Sequence, residues 1–246
     1  MRNIFAAMFI VFLLVALVFR GIGGSFDINY WLSFLPGLME NLVALAAAVF
    51  IIDRIRESQR LEKLKLTNVV QSQGILFLSN RFAFHLLEQL GLATKEEFGK
   101  DSEMNFEFAL DRFKSIDLGE VFYKNLMESK NREKFAEDFE KTLSRDTDNI
   151  SKALGRVYLR PDPTIEQDVL DMNSSAGFLA ALKSLIEAFR KANEQIGVDE
   201  QIKPEHLDLL IKIGYPPIRR ELLNTQRAII ELSEKATNNE LFVSFD

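Results

Sequence analysis

Glu40 and Asn41 stand about ten residues into an apolar run from Trp31 to Ile52, where polar side chains are costly. A carboxylate in hydrocarbon must be protonated, paired or wetted, so the chemistry it offers there is cation binding or cation passage. Gly37, Asn41, Ala44 and Ala48 fall on one helical face at spacings of three and four. Small residues in that pattern let membrane helices approach, and an asparagine among them can hydrogen-bond across the contact. Pro36-Gly37 offers the plainer alternative, a break in the helix that leaves Glu40 close to the surface.

Basic residues make the second group. Arg54, Arg56, Arg60 and Lys63 follow directly on the apolar run and suit lipid head groups. Lys152, Arg156 and Arg160 recur at successive i+4 steps with Tyr158 beside them. Such a row can hold phosphates while an aromatic ring stacks a base, although a solvated helix face gives the same pattern. Arg219, Arg220 and Arg227, behind Tyr215-Pro-Pro, form a third patch.

Catalytic signatures are missing from the sequence. The two histidines, His85 and His206, are far apart and show no metal-ligand spacing. There is no cysteine, which removes thiolate chemistry, disulfides and cysteine zinc sites. Asp146 to Ser151 looks superficially like a calcium loop but lacks its glycine and terminal glutamate. The glycines from Gly21 to Gly24 follow no strand, which argues against a nucleotide loop. The expectation is a protein that is not an enzyme and has no cofactor or metal.

The elements that would position these groups begin with two apolar runs. The first, Ile4 to Phe19, extends to Ile22. It is long for a signal peptide and Arg20-Gly-Ile-Gly-Gly-Ser is a poor cleavage site, so an uncleaved anchor is expected over the rival reading of a cleaved signal peptide. The second covers about 33 Å as helix, enough to span with tilt. Tyr30-Trp31 suits a membrane interface, and positive charge gathers at Arg2 and beyond Asp53, which predicts a hairpin with both termini in the cytoplasm. Beyond Lys65, residues 66–246 hold 23 basic and 31 acidic residues, a net charge of −8. An anionic leaflet would repel that acidic part while attracting the basic segment before it.

From Asp53 onward the pattern is helical. One long helix is predicted to continue the second span to Leu90, with Gly91 as its stop and Thr94 to Glu97 as a capping box for the next start. A helix containing Phe106, Leu110 and Phe113 should end near Asp117. Further helices are predicted over 120–129, 132–143 and 148–159, then from Asp162 or Thr164 through Arg190. The last starts at Pro204, pauses at Tyr215-Pro-Pro and resumes to about Lys235. Phe82, Phe84, Phe113, Phe122, Phe135, Phe139 and Phe189 are the expected core, with a subunit interface as the alternative. The fold class is all-α: a transmembrane hairpin over residues 1–53, a cytoplasmic multi-helix bundle over 54–238 and a tail over 239–246 in which Leu241, Phe242, Val243 and Phe245 could dock.

In layout, through the hairpin, Glu40-Asn41 with its alanine face, and Asp53-Arg54-Ile55-Arg56 at the exit, the chain resembles bacterial inner-membrane proteins with two spans and a cytoplasmic helical domain. Some membrane effectors of antiphage defence are built this way, with a ligand-binding cytosolic module controlling an oligomeric membrane segment. The resemblance covers the whole layout, carries no diagnostic motif and lacks a recognisable nucleotide-sensing domain. It implies a homo-oligomeric ion-conducting or membrane-disrupting effector in the bacterial inner membrane, gated at Glu40 and Asn41. Its ligand would be anionic, such as a nucleotide or oligonucleotide. The alternative is a membrane-tethered scaffold that recruits a cytosolic protein partner.

Overall fold

The computed structural model describes residues 28–94, 96, 106–155, 161–196 and 201–242, with side chains from Pro36 onward except 38, 42 and 106–108. These residues form six helices and no strand: α1 (Ile28–Gln89), α2 (Phe106–Ser115), α3 (Leu118–Glu128), α4 (Arg132–Gly155), α5 (Pro163–Gln195) and α6 (Pro204–Thr237). The chain divides into two compact units, Met1–Glu62 and Lys63–Asp246.

In the first unit, the first apolar run and residues 20–27 lie outside the described residues, and Ile28 to Tyr30, the end of the expected turn, are helical. The second run lies within α1, which continues through Pro36 without a break. Among the described residues no helix is long and apolar enough to cross a membrane, and no transmembrane hairpin is found. The charge-free stretch between Glu40 and Asp53 covers only about 18 Å of helix against a hydrocarbon core of about 30 Å. Met39, Val43, Leu45, Phe50, Ile51, Ile52 and Ile55 are each 47–64% exposed.

The second unit is a helical bundle. α4 packs on α5, α5 on α6, and α6 also meets α2 and α3. Along α6 the buried residues Ile211, Tyr215, Ile218, Leu222, Ile229 and Leu232 recur at helical spacing, so one face of the helix is core. Phe82, Phe113, Phe122 and Phe139 are fully buried, and the rings of Phe122 and Phe139 meet edge-on at 4.8 Å. Each fully buried apolar side chain of this size contributes about 1.5–3 kcal/mol.

Two expected breaks are absent. α4 runs unbroken where separate helices 132–143 and 148–159 were predicted, because no Gly or Pro interrupts the stretch and Leu143, Thr147, Ile150 and Leu154 keep one face buried. α6 continues through Pro216-Pro217. Each proline removes one N–H from the helix ladder. Tyr215 before the pair and Ile218 and Leu222 after it are buried, and that packing holds both halves on one axis.

Several predicted boundaries do hold. Gly91 ends α1 at φ +68°, a backbone conformation glycine adopts without strain. The Asp162 carboxylate accepts the Thr164 N–H at 2.8 Å, and Pro163 opens α5. At the C-terminal end Leu241 and Phe242 dock into the bundle, and the Leu241 carbonyl accepts the Asp162 N–H at 3.1 Å. The turn between α2 and α3 is tied to α6 by Gln226. Its amide N–H groups donate to the Phe113 and Ile116 carbonyls, both at 2.7 Å, and its oxygen accepts the Leu118 N–H at 3.3 Å.

Candidate functional site

The Pro-Pro segment of α6 borders a cleft of about 470 Å³, within the usual range for small-ligand sites. Lys212, Pro216, Arg219, Arg220, Leu223, Asn224 and Arg227 line it from α6, and Tyr123 closes it from α3 above Tyr215. The spacing 212, 216, 219, 220, 223 and 227 keeps these residues on adjoining rows of one helix surface. The segment from Lys212 to Arg227 holds four basic residues and one acidic one, inside a domain of net negative charge.

The cations are unequally engaged. Arg219 donates to Asp117 at 2.6 Å, and Arg220 reaches Glu221 at 3.4 Å. Among the described residues neither Lys212 nor Arg227 has an ion-pair partner. Asp117 also caps α3, accepting the Glu120 N–H at 2.8 Å. Partial burial opposes its charge, but the Glu120 N–H and the Arg219 guanidinium outweigh that and hold its pKa below the usual carboxylate value. The approach is close: a Cβ on Gly119 would lie 2.5 Å from Cγ of Arg219.

The floor is aromatic. Tyr123 and Tyr215 tilt against each other with ring centroids 4.7 Å apart, and Phe122 stacks beyond Tyr215. The Tyr215 hydroxyl donates to the Gly119 carbonyl. Burial pushes the Tyr215 phenol above its ordinary pKa, so it remains a neutral donor.

A larger cavity of about 940 Å³ at the start of α4 mixes five basic with three acidic side chains, a smaller excess of positive charge. There Lys141 pairs with Glu137 at 2.6 Å, Arg190 with Glu133 at 3.0 Å, and Arg132 with Asp208. No family model matches the chain, and neither does any curated protein or solved structure.

A separate polar cluster joins α1 to α4. His85 Nδ1 lies 2.5 Å from the buried Asp146 carboxylate, and Arg145 reaches that carboxylate at 3.0 Å. Arg145 also lies 3.0 Å from the same Nδ1. One ring nitrogen cannot donate to Asp146 and accept from Arg145 together. The shorter contact favours donation to the carboxylate. Burial opposes the Asp146 charge, yet the His85 and Arg145 contacts lower its pKa overall. This cluster can fasten two helices. Among the described residues no group of three or more His, Cys, Asp or Glu could hold a metal ion.

Glu40, Asn41, Ala44 and Ala48 are all exposed on α1. The Asn41 amide donates to the Gly37 carbonyl at 2.8 Å, so it is engaged within its own helix. Arg54 lies over the Phe50 ring at 5.7 Å, Arg60 is 3.8 Å from Glu57, and Arg56 and Lys63 are exposed. Lys152 is held by Asp148 at i−4, while Arg156, Tyr158 and Arg160 lie outside the described residues.

Among the described residues, it is the third basic patch that lines a cleft. Lys212 was missed, although its spacing of seven and eight residues from Arg219 and Arg220 repeats from those residues to Arg227. Nothing in the sequence signals Tyr123 or Asp117, because tertiary packing of α3 on α6 brings them there.

Proposed function

We propose that the chain is a membrane-tethered, homo-oligomeric effector whose helical domain responds to an anionic ligand bound in the α6 cleft. The observation that carries this reading is a pair of cations, Lys212 and Arg227, that have no ion-pair partner among the described residues and flank Arg219 and Arg220 in an otherwise acidic domain. An excess of uncompensated positive charge in a concave site selects anions and speeds their capture. The tether is the N-terminal hairpin, in which the exposed row from Met39 to Ile55 would be covered by lipid or neighbouring subunits. The basic run from Arg54 to Lys63 would then meet head groups on the cytoplasmic side. In the assembled protein Glu40 and Asn41 line or gate a cation path, and Ala44 and Ala48 pack the helices around it.

Light scattering on the full chain in detergent tests the assembly. A closed oligomer of several chains is expected, and a clean monomer would overturn the pore, because one hairpin cannot enclose water. The charge-reversed pair Lys212→Glu and Arg227→Glu tests the cleft. It should abolish toxicity or conductance while membrane retention and oligomer mass stay as they were. Unchanged activity would remove the cleft from the function.

A tethered scaffold is the second reading. It is favoured by Leu209, Leu210 and Ile213 on α6, which are 45–68% exposed and offer apolar contact to a protein partner. It predicts that replacing the hairpin by an unrelated anchor preserves function.

A further inference from the structure

We infer that the α6 cleft takes a nucleoside polyphosphate, and that its phosphates compete with Asp117 for Arg219. The inference rests on the anion-binding reading above and names its ligand class and its internal competitor.

The lining is polarised along the helix. Tyr123, Tyr215 and Pro216 gather at one end, with Lys212 beside them. Arg219, Arg220 and Arg227 lie four, five and twelve residues from Tyr215, about 6–18 Å along the axis. A single phosphate would use only part of that length. A flat base on Tyr123 followed by a chain of phosphates would use both ends. Base stacking on an aromatic ring is favourable for every base, and arginine forks bind phosphate bidentately. Asn224 lies among the arginines and adds an amide for a phosphate oxygen. An anionic lipid shares the phosphate chemistry, but the apolar end is made of ring faces and one proline, which suit a flat base.

Asp117 supplies the second half of the argument. Its carboxylate binds Arg219 through one oxygen and caps α3 through the other. A phosphate arriving at Arg219 therefore displaces an intramolecular anion on the end of another helix. Removing the Asp117 charge while keeping the cap should favour the ligand, and Asp117→Asn does both, since the asparagine oxygen still accepts the Glu120 N–H.

The experiment is equilibrium dialysis of the full chain in detergent against ATP, inorganic triphosphate or adenosine, with flotation on phosphatidylglycerol vesicles as a fourth arm. ATP should bind more tightly than triphosphate, and adenosine should not bind detectably. Arg227→Glu should weaken ATP by about tenfold or more, a charge-assisted hydrogen bond being lost and its sign reversed. Tyr123→Ala and Tyr123→Leu should weaken ATP by about fivefold and leave triphosphate unchanged, because only the base stack is removed. Asp117→Asn should tighten ATP by about two- to fivefold, the range of a single exposed charge pair.

If ATP and triphosphate bind alike and the Tyr123 variants behave as wild type, the nucleoside is overturned while the anion cleft stands. If Asp117→Asn weakens ATP, the competition is overturned. If vesicles bind through Arg227 and ATP does not, the ligand is a lipid and the inference falls. If none of the anions binds, the anion reading itself falls with it.

Discussion

Residues 39–55 and residues 75–89 belong to the same helix and draw on the same apolar types. Their environments are opposite. Val43, Phe50, Ile51 and Ile52 are mostly exposed, whereas Ile75, Phe82, Leu86 and Leu87 are sealed in the bundle. The difference lies in how the apolar residues are arranged around the axis. Between Leu42 and Ile52 nearly every position is apolar, so no face of the helix is polar enough to prefer water. Between Ile75 and Gln89, Arg81, His85, Glu88 and Gln89 mark the less buried side, while Ser79 and Asn80 are buried with hydrogen-bond partners. A one-sided stripe can be satisfied by one neighbouring layer, but a helix apolar all round needs an apolar medium or several partners.

That contrast breaks most easily at two phenylalanines. Phe139→Ala should lower the unfolding free energy by about 3–5 kcal/mol, the usual loss for a buried aromatic. Phe50→Ala should change bundle unfolding by less than about 0.5 kcal/mol, as surface substitutions do, and should instead reduce retention in the membrane fraction. Urea titration followed by tryptophan-independent far-UV dichroism gives both numbers. Equal losses would mean that residues 39–55 are packed in the protein, and the comparison would fail.

A somewhat smaller effect is expected at the polar cluster between α1 and α4. Asp146→Ala should cost about 1–3 kcal/mol, because it removes the carboxylate that His85 bonds, while Arg145 is open enough to be solvated. The sign with pH follows from the lowered pKa of Asp146. Its contribution is present above the unfolded value, about 3.9, and is lost as pH falls through the lower folded value. Melting temperatures from pH 6 to pH 3 should therefore fall in wild type, with a shallower acid limb in the variant. An identical acid limb would show that Asp146 is not the group responsible.

The smallest expected contrast sets two polar residues side by side. The Ser175 hydroxyl is buried against the Glu221 carbonyl at 2.6 Å and Thr225, and Ser175→Ala should cost about 1 kcal/mol. Asn41→Ala should leave bundle unfolding unchanged, since its bond to Gly37 is local and exposed. A matching loss at both sites would show that the two regions unfold as one.

Much of this architecture was legible in the sequence. Gly91, Asp162-Pro163 and the Phe135 to Phe139 spacing are local signals, and each marks a real boundary or core position. The misreadings share a cause. Pro216-Pro217 is a strong local breaker, but burial of Tyr215, Ile218 and Leu222 overrides it, and no window of sequence reports that packing. The cleft divides in the same way. Its arginines appear as a cluster on one helix, whereas Tyr123 and Asp117 lie about a hundred residues earlier and arrive only through the contact of α3 with α6.

Gln226 sets one further condition on the chain. It gives two hydrogens to carbonyls and accepts one from an amide, all from the turn between α2 and α3. Glutamate has the same outline and volume, and a criterion of shape alone would accept it. Its carboxylate would instead turn an oxygen toward each of two carbonyl oxygens, with no proton between them. At this position the protein discriminates by the direction of hydrogen bonds, so the exchange of one nitrogen for one oxygen would be enough to release the turn.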